Sequence, residues 1–109
     1  MRVLLDQGTP APIRRSLEGH EVRTSREQGW SRFANGELLK AAEDAGFNVL
    51  LTTDQNMRYQ QNLKGRKIAI VVLGKARWRL IKVALAQVSV AVNAATPGSY
   101  TEVEIPGRA

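Results

Sequence analysis

Hydrophobic and polar positions fall along this chain in blocks, and the blocks have two different periods. Arg2-Val3-Leu4-Leu5 is a short apolar run that stops on Asp6, the form of a strand buried on both faces. Phe47 to Thr53 repeats that form and stops on Asp54. A third run, Arg66 to Leu73, carries Ile68, Ala69, Ile70, Val71, Val72 and Leu73 in succession before Gly74 breaks it. Between the runs the period becomes helical. Thr9-Pro10 offers an N-cap and a proline at the first helical position, and Ile13 and Leu17 lie four apart, which predicts a helix from Thr9 to Glu18 closed by Gly19. Asn35 is the expected cap of a second helix whose stripe is Leu38, Leu39, Ala42 and Ala45, with Gly46 as its stop. Arg77 to about Asn93 predicts a long helix with Trp78, Ile81, Leu85, Val88 and Val92 as its main stripe. Glu21–Thr24 and Tyr100–Ile105 alternate as outer strands, the second after a Pro97-Gly98 turn.

Strands alternating with helices over short connections predict an α/β fold, a three-layer α/β/α sandwich around a mostly parallel sheet. With 109 residues, 43% of them hydrophobic, and no linker or repeat, the expectation is a single domain over residues 1–109. No cysteine is present, so disulfides and thiolate metal sites are excluded, and the cytoplasm is the simplest location. The apolar start is too short for a signal peptide, and no stretch approaches the roughly 20 apolar residues of a membrane span. A formal net charge of +6 favours polyanionic partners, although solvated lysines give the same charge.

In a parallel sheet both Asp6 and Asp54 fall on the carboxyl rim, where α/β sheets bind ligands. Two carboxylates held a few ångströms apart repel unless a hard cation or a shared proton holds them together, so magnesium or manganese with oxygen ligands fits the pair. The alternative is that each aspartate caps the turn or helix that follows it. His20 is the only histidine and lies in the turn before the second strand, so zinc sites and nucleophilic triads have little support.

The segments MRVLLDQGTPAPIRRSLEGHEV, NGELLKAA and NVLLTTDQN together resemble the small PIN-like families. The pattern of those families is an apolar strand ending in aspartate, a helix carrying an acid, and a strand ending in a threonine-aspartate step. The resemblance runs from Met1 to about Leu73. It implies the α/β/α fold and a Mg2+- or Mn2+-dependent nuclease, often acting on RNA and often the toxin of a toxin-antitoxin pair. Carried over residue by residue, it makes Asp6 and Asp54 metal ligands and Glu37, in the first turn of its helix, the third acid. It also implies an antitoxin as protein partner. Gln7, Asn35 and Asn56 stand where the family frequently has further acids. An amide oxygen such as that of Asn56 can still coordinate a hard cation, but each lost charge weakens the site.

Lys75, Arg77 and Arg79 follow the third apolar strand onto the same rim, with Arg58, Tyr59 and Trp78 as neighbours, and are candidates to hold nucleic-acid phosphates. Solvated charge, with Trp78 in the core, is the other explanation. After Lys82 the long helix carries no charge and is apolar on most of its circumference, so it must be buried, either by the sheet and last strand or in a homo-oligomer or partner contact. Trp30 and Phe33 either pack or close over the site. Three functions are thus in view: a PIN-like endoribonuclease, a PIN-like nucleic-acid-binding or regulatory module that has lost catalysis, and a phosphoacceptor receiver domain. The last fits least, because the first strand is not followed by an adjacent acidic pair and Leu73-Gly74 stands where a hydroxyl residue is expected.

Overall fold

A computed structural model describes residues 1–55, 65–74 and 77–105. The strands are β1 (Arg2–Leu5), β2 (Glu21–Thr24), β3 (Val49–Thr52), β4 (Ala69–Leu73) and β5 (Tyr100–Val103). They form one sheet in the order β2-β1-β3-β4-β5, and every neighbouring pair is parallel. The helices among the described residues are α1 (Asn35–Asp44), α2 (Trp78–Ile81) and α3 (Leu85–Asn93), with 3-10 segments at Ala11–Ser16 and Lys82–Ala84. None of them is long and apolar enough to cross a membrane.

The central strands read as unbroken apolar runs because both of their faces are covered. Side chains alternate between the faces. Val3, Leu5, Val49, Leu51, Val71 and Leu73 pack on one side with Ile13, Leu17, Ile81, Ala84, Val88 and Val92. Leu4, Leu50, Ile70 and Val72 pack on the other with Leu38, Leu39, Ala42 and Phe47. The connections β1→β2 and β4→β5 run in opposite directions across the sheet, yet both lay their apolar residues on the first of these faces. Two such crossovers have opposite hands, so one of them departs from the usual right-handed rule.

The helices differ from the sequence expectation in three ways. The segment after β1 is not an α-helix from Thr9 but a 3-10 segment from Ala11 to Ser16, with Pro10 at its N-cap. Thr9 is drawn away from capping because its hydroxyl donates to the Leu51 carbonyl at 3.1 Å, and the short piece that remains closes with i→i+3 bonds. Ala34, not Asn35, occupies the N-cap of α1. The long helix is interrupted at Lys82–Ala84, and its inward row is Ile81, Ala84, Val88 and Val92, while Trp78 and Leu85 are half-buried. Of the two covers expected for this helix, the sheet and last strand supply one side only and leave Val83 69% and Val90 66% exposed. Trp30 stacks on Phe33 and meets the edge of Phe47, so packing accounts for it.

Side chains tie the outer strand β2 in place at both of its ends. Arg2 Nε donates to Glu21 Oε2 at 2.6 Å, and the Arg2 guanidinium lies 4.3 Å from the centre of the Phe47 ring. Glu27 Oε1 accepts the Thr24 N–H at 2.8 Å and pairs with Arg14. The hydrogen bond and charge of Arg2 hold the Glu21 carboxyl below its ordinary value of 4.5, and the Thr24 N–H, followed by Arg14, does the same for Glu27. A carboxyl whose pKa is lowered by folding stabilises the fold above its unfolded pKa and loses that contribution as pH falls through the folded value. Both groups are exposed, so the effect is small. The urea midpoint of a Glu21→Gln, Glu27→Gln variant is expected to fall less steeply than that of the parent as pH drops below 4.5, and parallel curves would show that neither contact matters.

Candidate active site at the carboxyl rim of β1 and β3

Strand order reverses at β1, which has β2 on one side and β3 on the other, and such a switch point is where an open parallel sheet leaves a crevice beyond its carboxyl ends. Pairing of Leu5 with Leu51 sets the local register, and one further bond, Asp6 N–H to the Leu51 carbonyl at 3.0 Å, carries the ladder past the end of β1. Asp6 is thereby placed beside Thr52. A Cβ on Gly8 would sit 3.0 Å from Thr53 Oγ1, so the glycine lets the chain leaving β1 lie close against the end of β3.

Thr52 is fully buried, and its hydroxyl joins the two aspartates. It donates to Asp6 Oδ2 at 2.8 Å and accepts the Asp54 backbone N–H at 3.0 Å. Asp6 Oδ1 accepts the N–H of Gln7 at 2.7 Å. The Asp54 carboxylate accepts from Asn35 Nδ2 at 2.9 Å, which brings the first residue of α1 to the same rim. That is where Asn35 spends the side chain expected to cap the helix. Aspartate near a helix N-terminus is also favoured by the helix dipole. Three residues past Thr52 the chain stays at the rim, since Gln55 Nε2 donates to the Gly74 carbonyl beyond β4 at 2.8 Å.

No family model, no curated protein and no solved structure matches this chain. The site's chemistry therefore rests on its own geometry.

Thr52 links the Asp6 carboxylate to the Asp54 backbone N–H, and Glu37 forms no hydrogen bond with either aspartate. Among the described residues no cluster of three or more His, Asp or Glu side chains could hold a metal ion. Glu37 is exposed, and its Oε1 accepts the Ala34 N–H at 3.4 Å, the contact of a carboxylate that caps its own helix. What remains fits a hard cation with few protein ligands: magnesium commonly binds through one or two carboxylates and keeps water or substrate phosphate in its other positions. Asp6 uses two of its roughly four acceptor sites on Thr52 and Gln7 and keeps capacity for such an ion. Asn56, Arg58 and Lys75 lie outside the described residues. Arg77 and Arg79 follow β4, are exposed, and form no ion pair with a described residue. His20 sits at the opposite, amino end of β2, where Nε2 meets Asn93 Oδ1 at 2.6 Å, far from the rim chemistry.

Thr52 and Asn35 are the site residues that sequence reasoning missed in these roles. Thr52 had a visible signal, as the only hydroxyl residue in the described part of the buried strand β3. Thr52→Val is expected to destabilise the fold by about 1–3 kcal/mol, because it keeps the shape and strips both aspartates of their shared partner. Thr52→Ser keeps the hydroxyl and is expected to recover most of that loss, measured by urea denaturation at neutral pH.

Proposed function

We propose that this chain is a metal-dependent nuclease of PIN-like type, with a three-layer α/β/α arrangement, that cleaves RNA in the cytoplasm. The observation that carries the reading is the pair of strand-end aspartates joined by the buried Thr52 hydroxyl at the switch point of a parallel sheet. Asp6 and Asp54 would hold a Mg2+ or Mn2+ ion, which polarises a phosphodiester and makes water a stronger nucleophile. Thr52 fixes the Asp6 carboxylate, and Asn35 fixes that of Asp54, so neither aspartate has to be reoriented when substrate arrives. Either carboxylate would take the proton that attacking water must lose. Arg77 and Arg79, with Lys75 and Arg58, would hold flanking phosphates, in keeping with the net charge of +6. An antitoxin and a homo-oligomeric state belong to the same proposal, and the exposed Val83 and Val90 on the long-helix side are the apolar surface open to such a contact.

A second reading, a nucleic-acid-binding or regulatory module of the same type without catalysis, is favoured by one specific observation: Glu37 caps its own helix instead of joining the aspartates. The two separate experimentally. Purified protein with magnesium or manganese is expected to cleave single-stranded RNA, and Asp54→Asn to lower the rate on the order of 100-fold or more. Cleavage indifferent to that change contradicts the nuclease assignment, and RNA binding without any metal-dependent cleavage supports the second reading.

A further inference from the structure

On the β2 side of Asp6 the rim holds another feature. A cavity of about 370 Å3 opens between the segments that leave β1 and β2, with Asp6, Gln7 and Thr9 on one wall and Ser25, Arg26 and Ser31 on the other. Ser25 is 1% exposed, and its Oγ has no hydrogen-bond partner among the described residues. Its backbone is fully used: the N–H donates to the Leu5 carbonyl at 2.9 Å and the carbonyl accepts from the Trp30 N–H at 2.9 Å. The segment is thus held in place by its main chain, and the side-chain hydroxyl contributes nothing to holding it. A buried hydroxyl left unpaired is unfavourable and uncommon, and a bound ligand is one explanation for keeping it.

The lining selects the chemistry of that ligand. Asp6 only accepts, and it repels another anion brought against it. Thr9 has committed its proton to the Leu51 carbonyl and offers lone pairs alone. The Ser25 hydroxyl can donate or accept. A ligand hydroxyl satisfies Asp6, Thr9 and Ser25 together, because it donates toward the two acceptors while accepting from Ser25, whereas a phosphate oxygen cannot donate to them; Gln7 and Ser31 can donate or accept and suit either. Arg26 is exposed and forms no ion pair with a described residue, so a phosphate suits the mouth of the cavity. The volume lies near the lower end of the range of about 300–1,000 Å3 for small-molecule sites, enough for one nucleotide unit.

We infer that this cavity is a subsite for a single ribonucleotide of an RNA chain, with the sugar 2′-hydroxyl read by Ser25 on the wall opposite Asp6 and the phosphate held by Arg26. The 2′-hydroxyl is the group that distinguishes RNA from DNA, so the subsite sets substrate class. The inference rests on the proposed function for placing RNA at this rim, but it requires neither metal nor cleavage.

The test uses the full chain in excess EDTA, titrated with adenosine 5′-monophosphate and with 2′-deoxyadenosine 5′-monophosphate while amide resonances are followed by NMR. The ribonucleotide is expected to shift the amides of Asp6, Ser25 and Arg26 and to bind at least about fivefold more tightly than the deoxy form. Ser25→Ala should abolish that preference, leave affinity for the deoxynucleotide unchanged, and leave the thermal midpoint equal to or above that of the parent, since no protein hydrogen bond is lost. Arg26→Ala should weaken both nucleotides alike. Equal affinity for the two nucleotides, a preference that survives Ser25→Ala, no shift of these amides at millimolar nucleotide, or a lowered thermal midpoint in Ser25→Ala would each overturn the inference. With no metal present, an inactive enzyme that still prefers the ribonucleotide refutes the nuclease reading alone, and an active enzyme without the preference refutes the subsite alone.

Discussion

The hydroxyl of Thr52 is the contact on which the rim depends. It is the last side chain of β3, fully buried, and it faces the side of the sheet on which Asp6 emerges. A hydroxyl in that position needs partners, and it finds them in one carboxylate oxygen and one backbone N–H, which belong to the two aspartates. Sheet register, burial and site geometry are therefore one constraint. Shifting β3 by a single residue against β1 would turn Thr52 to the opposite face and separate the pair.

The same constraint explains why the site sits where it does. An all-parallel sheet points every strand end to one rim, and the reversal of order at β1 opens that rim on both sides of Asp6. Toward β3 lie Thr52, Asp54 and the start of α1. Toward β2 lie the cavity and Ser25, whose hydroxyl has no partner among the described residues. Asp6 is thus common to a carboxylate side and a hydroxyl-lined side of the rim. The neutral amide of Asn35 can sit against Asp54 as a hydrogen-bond donor, where a third carboxylate would repel it in the absence of metal.

Much of this was legible in the chain. Runs such as Ile68 to Leu73 can only be strands covered on both faces, and a polar stop after each run locates the rim, so Asp6 and Asp54 were found by pattern alone. The α1 stripe was equally plain, and Leu38, Leu39 and Ala42 are its buried residues. What the sequence could not show was competition between partners. Thr9 and Asn35 are ordinary capping residues, but a strand carbonyl claims one and a carboxylate claims the other, across 42 and 19 residues of chain. The resemblance makes Glu37 a third acid, yet its Oε1 accepts the nearby Ala34 N–H. For the long helix the apolar count could not tell cover by the sheet from cover by another chain: the sheet covers one side and leaves Val83 and Val90 exposed. The break at Lys82–Ala84 has no proline or glycine to announce it.

The proposed function stands on Asp6 and Asp54 acting as one oxygen site for a divalent ion. Titration of the labelled protein with substoichiometric Mn2+, read as paramagnetic broadening of amide resonances, addresses it without requiring activity. Broadening centred on Asp6 and Asp54, reversed by excess Mg2+ and absent in Asp6→Asn, is the predicted result. Uniform or absent broadening around these residues, or broadening unchanged by Asp6→Asn, would contradict it.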